Sequence, residues 1–191
     1  METKNIMIVG VGGQGTLLAS KLLGRLLLDK GFDVKVSEVH GMSQRGGSVV
    51  TYVRWGEKVY SPIIDKGQAD VILSFELLEA ARYTEYLRSG GTIITNTQQI
   101  NPMPVITGAA AYPENLAEKM REAGLRVDAL DALALAGEAG SSKAVNIVLM
   151  GRLSKWFDFT EAEWLEAIEQ SVPPKFLEMN KKAFRLGRQA D

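Results

Sequence analysis

The chain opens on an apolar block, Asn5-Ile6-Met7-Ile8-Val9, with β-branched residues at positions 6, 8 and 9. A short run of this kind suits a strand buried on both faces. From residue 16 to residue 30 the pattern changes to helical spacing, with Leu18, Leu22 and Leu26 lying beside Leu17, Leu23 and Leu27. Gly31 is a C-cap signal, and residues 33–39 read as a second strand. Strand, turn, helix and strand make a βαβ unit, which implies parallel pairing and a right-handed crossover.

Residues 48–55 alternate as a strand does. Gly56-Glu57 reads as a hairpin turn and Lys58-Val59-Tyr60 as a short return strand, so the sheet is expected to be mixed. Residues 71–75 form another buried strand. Residues 76–88 then read as a helix offering Leu77, Leu78, Ala81 and Leu87 to the core, ended by Gly90-Gly91 before a strand at 92–97. Pro102 and Pro104 mark an irregular connector, and Pro113 opens a short helix. A strand at 125–130 and an alanine-rich helix from Asp131 follow. The last third is helical: 142–157 has an apolar face, Thr160-Glu161-Ala162-Glu163 resembles a capping box, and Pro173-Pro174 starts the final helix. The expected fold is α/β: three layers, α/β/α, with a Rossmann-like, mixed but mostly parallel sheet, a helical C-terminal third, and a single domain over residues 1–191.

Composition narrows the chemistry. The 191 residues carry 22 Lys plus Arg against 23 Asp plus Glu, with no long basic run. Nucleic acid and anionic membrane surfaces are therefore disfavoured as partners. The leucine-rich stretch is interrupted by Lys21, Arg25 and Asp29 and is too short to span a bilayer. The N-terminus lacks a secretory pattern, so a cytoplasmic location is expected. The sequence has no cysteine and one histidine, His40. Disulfides, a thiolate nucleophile and iron–sulfur ligation by this chain's own thiolates are excluded, as is a multi-histidine zinc site. No metal site is expected.

Two stretches carry candidate chemistry. Gly10-Val11-Gly12-Gly13-Gln14-Gly15 places a G-x-G-x-x-G pattern between a strand and a helix, where glycine permits positive φ and close approach of an anion to helix N–H groups. The alternative is a tight turn that binds nothing. Glu38, at the end of the second strand, fits either an adenosine ribose contact or a solvated strand end. A P-loop is ruled out, because no Gly-Lys-Ser/Thr follows the glycines. The second stretch, His40-Gly41-Met42-Ser43-Gln44-Arg45-Gly46-Gly47, sets a guanidinium beside flexible backbone donors, which suits phosphate or carboxylate. His40 could exchange a proton near neutral pH or merely cap the loop.

Together, the glycine turn and the His-Gly-Met-Ser-Gln-Arg-Gly-Gly-Ser run resemble the gamma-type subunits of 2-oxoacid:ferredoxin oxidoreductases. The resemblance covers the whole chain, including Val172-Pro173-Pro174-Lys175-Phe176-Leu177, and the narrower run points to the indolepyruvate branch. It implies a non-redox subunit of a complex that oxidatively decarboxylates an aryl 2-oxoacid with coenzyme A and passes electrons to ferredoxin. Thiamine diphosphate and iron–sulfur clusters would then sit in a larger partner subunit, in keeping with the missing cysteines. This chain would hold no catalytic residue of its own, His40 aside. Gly10, Gly12, Gly13, Gln14, Gly15, Ser43, Arg45, Gly46 and Gly47 would contact coenzyme A. A pyruvate, branched-chain 2-oxoacid or 2-oxoglutarate branch, a free-standing NAD-dependent enzyme, and a purely structural scaffold are the competing readings.

Overall fold

A computed structural model describes residues 2–38 and 46–190. His40, Ser43 and Arg45 lie outside the described residues. Six strands form one sheet in the order β2-β3-β1-β4-β5-β6. They are β1 (Lys4–Val11), β2 (Asp33–Glu38), β3 (Ser48–Gly56), β4 (Ala69–Ser74), β5 (Leu87–Asn96) and β6 (Arg126–Leu130). Strands β1, β4, β5 and β6 pair in parallel, whereas β3 is antiparallel to both neighbours, β1 and β2. The sheet is therefore mixed and mostly parallel, as expected from the sequence. The βαβ expectation holds in direction but not in adjacency, because β3 is inserted between β1 and β2.

Period-two alternation divides the core. Ile6 and Ile8 of β1 face one layer while Met7 and Val9 face the other. The first layer contains α1 (Thr16–Asp29), α5 (Ala132–Ala139), α6 (Val145–Leu153), α7 (Glu161–Ser171) and α8 (Leu177–Gln189). The second is thinner, built from α2 (Leu77–Arg82) and α4 (Leu116–Glu122). A short helix, α3 (Met103–Ile106), stands apart from both. The C-terminal third packs on the first layer, where buried Trp164 stacks on Phe184 at 5.8 Å and meets Phe157 edge-on at 5.4 Å. Thr160 and Glu163 close the capping box that starts α7. At the α6–α8 crossing, Cβ atoms on Gly151 and Gly187 would overlap the backbone carbonyls of Phe184 and Val148. Only glycine lets the two helices meet backbone to backbone there.

Four boundaries differ from the sequence reading. Residues 58–60 form no strand: Val59 is buried and its N–H donates to the Asp33 carboxylate at 2.9 Å, so that group is spent outside any ladder. The helix expected at 76–88 stops at Arg82, a 3-10 turn follows at Thr84–Tyr86, and Leu87 begins β5. Gly90 and Gly91 lie inside that strand, beside a register shift in the β4–β5 ladder, because a Cβ on Gly91 would stand 2.8 Å from Leu87 Cδ1. The helix signalled by Pro113 starts three residues later, after Asn115 in a left-handed conformation (φ 55°).

Candidate functional site

Strand β1 leads through α1 to β2 on one side of it, whereas β4, β5 and β6 extend on the other. The carboxyl ends of β1 and β4 therefore flank a topological switch point, the usual position of a ligand crevice in an open α/β sheet. The glycine turn sits there.

Gly10 still belongs to β1, and a Cβ there would lie 2.9 Å from Phe75 Cβ and 3.0 Å from Gln14 Oε1. Its absence lets Gln14 fold back. The Gln14 amide oxygen accepts from Val11 N at 2.8 Å, and Nε2 donates to the Phe75 carbonyl at 2.9 Å. Gln14 thus stitches the end of β1 to the end of β4. Asn96 Nδ2 donates to the same carbonyl at 3.2 Å, and Gln98 Oε1 accepts from Gln14 at 3.4 Å. This amide network occupies the base of the crevice and turns the polar atoms of Gln14 inward.

Above that base, Gly13 has φ 101° with open space where a Cβ would be, and Gly15 has φ 89° with Asn146 Nδ2 at 2.9 Å from the same place. Gly15 is the N-cap of α1, which has no side-chain cap and no acidic residue in its first turn. An uncapped start of a 14-residue helix leaves positive potential facing outward. Gly12 N donates to Gly47 O at 2.8 Å, and Val11 is paired with Ser48. Gly46 and Gly47, the described end of the second stretch, therefore lie beside the glycine turn although some thirty residues separate them in sequence. Gly46 completes the second arm with φ 85°.

The turn separates two clefts. One, of about 300 Å³, is lined by Gly12, Gly13, Gly15, Thr16, Leu17, Glu38, Val49 and Thr51. Glu38 accepts from Ser20 Oγ at 2.7 Å, so it is neither a free strand end nor distant from the turn. The other cleft, of about 410 Å³, lies toward Gln98, Leu133, Ser142 and Lys143. A larger, mostly apolar groove between α1 and β2 shares Glu38 but contains no part of the turn.

Below the second arm, buried acids hold the scaffold. Ser48 bonds Glu79, which also pairs with Arg82 at 3.1 Å. Burial pushes the Glu79 carboxyl above its ordinary range, with the Ser48 and Arg82 contacts opposing. Glu76, 1% exposed, caps α2 through Glu79 N and accepts from Ile100 N at 3.0 Å and from Tyr112 OH at 2.5 Å. Burial, then the bond to Glu76, raises the Tyr112 phenol, so it remains the donor. Sequence reasoning missed Asn96, Gln98, Asn146 and Glu76. Each is an ordinary polar residue whose partner is distant in sequence, and no spacing marks it.

The fold and the glycine-lined crevice define a class that sequence comparison confirms. The chain belongs to the pyruvate ferredoxin/flavodoxin oxidoreductase family, whose sequence model matches residues 5–190. Within it, the chain is 48% identical to the indolepyruvate oxidoreductase subunit IorB of Thermococcus kodakarensis, covering 100% of this chain and 96% of that protein. In fold it is similar to the pyruvate oxidoreductase subunit PORC of Thermotoga maritima, with a TM-score of 0.73, 19% identity and 98% and 96% of the two chains covered. It is similar also to a 2-oxoglutarate:ferredoxin oxidoreductase of Magnetococcus marinus, with a TM-score of 0.75 and 19% identity. There the match covers 98% of this chain but 31% of the longer one.

Proposed function

We propose that this chain is the small subunit of an indolepyruvate-type 2-oxoacid:ferredoxin oxidoreductase, inactive without a larger catalytic chain. The observation that carries this reading is the 48% identity to IorB over the full length. The complex would convert an aryl 2-oxoacid and coenzyme A into an arylacetyl-CoA and carbon dioxide. The C1–C2 bond breaks and a thioester forms, while two electrons leave for ferredoxin and the thiol proton goes to solvent.

Thiamine diphosphate would supply the stabilised acyl carbanion equivalent, and iron–sulfur clusters the electron path, both within the larger chain. With no cysteine, this chain cannot ligate a cluster through its own thiolates. Its own residues would bind and orient. The uncapped start of α1 and the open face of Gly13 suit the phosphates of coenzyme A, with Gly46 and Gly47 on the adjoining arm. Gly10 and Gln14 would hold that turn in shape rather than touch the ligand. By their place in the same motif, Ser43 and Arg45 would contact coenzyme A, and His40 would be the one candidate catalytic group, facing the same cleft or the larger chain.

Co-expression with the larger subunit tests the reading. Coenzyme A-dependent reduction of ferredoxin is expected with indolepyruvate, and less with pyruvate, 2-oxoisovalerate or 2-oxoglutarate. Full activity of the larger subunit alone, or turnover of a nicotinamide cofactor by this chain alone, would overturn it. Gly13→Ala should raise KM for coenzyme A about tenfold with kcat little changed, since a methyl group would block the approach of the anion.

A further inference from the structure

Between the end of β5 and the start of α4 the chain makes an excursion unlike the rest of the surface. Residues 97–113 contain no charged side chain, although 24% of the whole sequence is charged. They are nonetheless mostly exposed: Met103 is 66% and Ile106 64% exposed, and residues 106–111 are open to solvent throughout. Among the described residues, no strand or other helix packs substantially against α3, which forms the tip. Surface loops of soluble proteins are ordinarily polar, and contiguous exposed apolar patches mark interaction sites.

The excursion is also preformed. Ile106 N donates to Pro102 O at 3.1 Å, Thr107 N to Met103 O at 2.9 Å and Ala110 N to Pro104 O at 3.0 Å. Its root is pinned by the buried Glu76 carboxylate, which takes Ile100 N on the outgoing limb and Tyr112 OH on the returning one. Leu77 N adds a bond to Gln98 O at 3.0 Å. Three prolines (Pro102, Pro104 and Pro113) and these bonds reduce the ordering entropy that a docking loop must otherwise lose on binding. The root touches the site, because Gln98 accepts from Gln14 of the glycine turn.

We propose that residues 97–113 are a rigid docking arm that seats the larger catalytic chain against the carboxyl-end crevice. This rests on the subunit reading above. The occupant follows from three observations. In the Magnetococcus marinus protein the same fold fills 31% of a longer polypeptide, so a covalent tether joins it to the remainder. Where the fold is a chain of its own, a surface must do that work. The arm's apolar, uncharged character matches permanent interfaces, which are more hydrophobic than transient ones, so a lasting subunit fits better than a passing electron carrier. Its twelve exposed residues, of seventeen, supply about half of the roughly 20–30 that a standard interface contributes per side.

The test uses the co-expressed complex and the double variant Met103→Asp/Ile106→Asp, with Leu28→Asp, an exposed leucine of α1, as control. The arm variant is expected to keep the melting temperature and circular dichroism of the free chain within error. It should weaken association with the larger subunit at least a hundredfold in titration, while Leu28→Asp leaves it within threefold. Activity of the arm variant should return when the larger subunit is supplied in large excess, because the site itself is intact. Association of the arm variant within threefold of the unaltered chain overturns the arm. So does an effect confined to self-association of the free chain in sedimentation, which would assign the arm to a second copy. If the unaltered chain fails to bind the larger subunit at all, the subunit reading has failed instead. Should Met103→Asp/Ile106→Asp unfold the chain, Met103→Ser/Ile106→Ser reads the same contact with a tenfold loss expected.

Discussion

Gly13 and Gly15 in the turn after β1 hold φ of 101° and 89°, whereas Gly151 and Gly187 lie inside helices that need no left-handed residue. The first pair is glycine because of conformation, the second because of proximity. Gly13 has nothing within 4 Å of a would-be Cβ, and for Gly15 the nearest atoms belong to the Asn146 side chain, with Nδ2 at 2.9 Å. Gly151 and Gly187 instead face main chain that cannot turn aside. A conformational requirement can be relaxed at a cost of roughly 1–2 kcal/mol per residue in the left-handed region. A backbone-to-backbone contact has no rotamer through which to relax, so it forces whole helices apart.

The comparison breaks most visibly at the helix crossing. Gly151→Ala should destabilise the chain by about 3 kcal/mol or more in urea denaturation, at the upper end of overpacking costs, and soluble yield should fall. A loss under about 1 kcal/mol would show that α6 and α8 have freedom to separate. Gly15→Ala comes next. It combines left-handed strain with the approach of Asn146 Nδ2, and about 2 kcal/mol is expected by the same denaturation. Gly13→Ala isolates conformation alone and should cost about 1 kcal/mol, yet its effect on KM for coenzyme A should exceed that of any glycine in the helical layer. If Gly13→Ala proved as destabilising as Gly151→Ala, the distinction between conformation and proximity would fail.

The smallest effect concerns the buried acids beneath the second arm. Burial raises the folded-state pKa of Glu79 above its ordinary 4.5. The folded state then binds the proton more tightly than the unfolded one, so stability should decline as pH rises from 4.5 through the raised value and level off above it. Glu79→Gln should remove that decline. Melting curves across the weakly acidic range check this, and an unchanged slope would assign the decline to another group.

Legibility followed the range of the interactions. Strand β1, helix α1, the left-handed glycine stop at Gly31 just past its Lys30 C-cap, and the capping box of α7 are local, each set by residues within one or two turns of the chain. Periodicity and cap chemistry therefore exposed them. Strand β3 was recognised, but its partners were not: the Gly56-Glu57 turn signal was outweighed by pairing with β2 and β1 on either side. Gly90-Gly91 carries the local signal of a helix stop, yet it relieves crowding against Leu87 within β5. At the site, the glycine turn was visible as a motif. The inward role of Gln14 was not, because its partner is the carbonyl of Phe75, sixty-one residues away.

By itself the sequence determined the alternation of buried strands and helices, the position of the glycine turn, and the exclusion of thiolate chemistry. These depend on residue type and spacing alone. Tertiary structure decided that β3 separates β1 from β2, that residues 10–15 meet Gly46 and Gly47, and that α6 and α8 touch through Gly151 and Gly187. It also decided that the uncharged stretch at 97–113 is held outward, with the buried Glu76 carboxylate tying its two limbs, rather than folded into the core. The physical reason is the same in each case. Contacts between residues far apart in the chain are selected by packing and hydrogen-bond satisfaction of the whole fold, and no local pattern encodes which partner a strand, a glycine or a glutamate will meet.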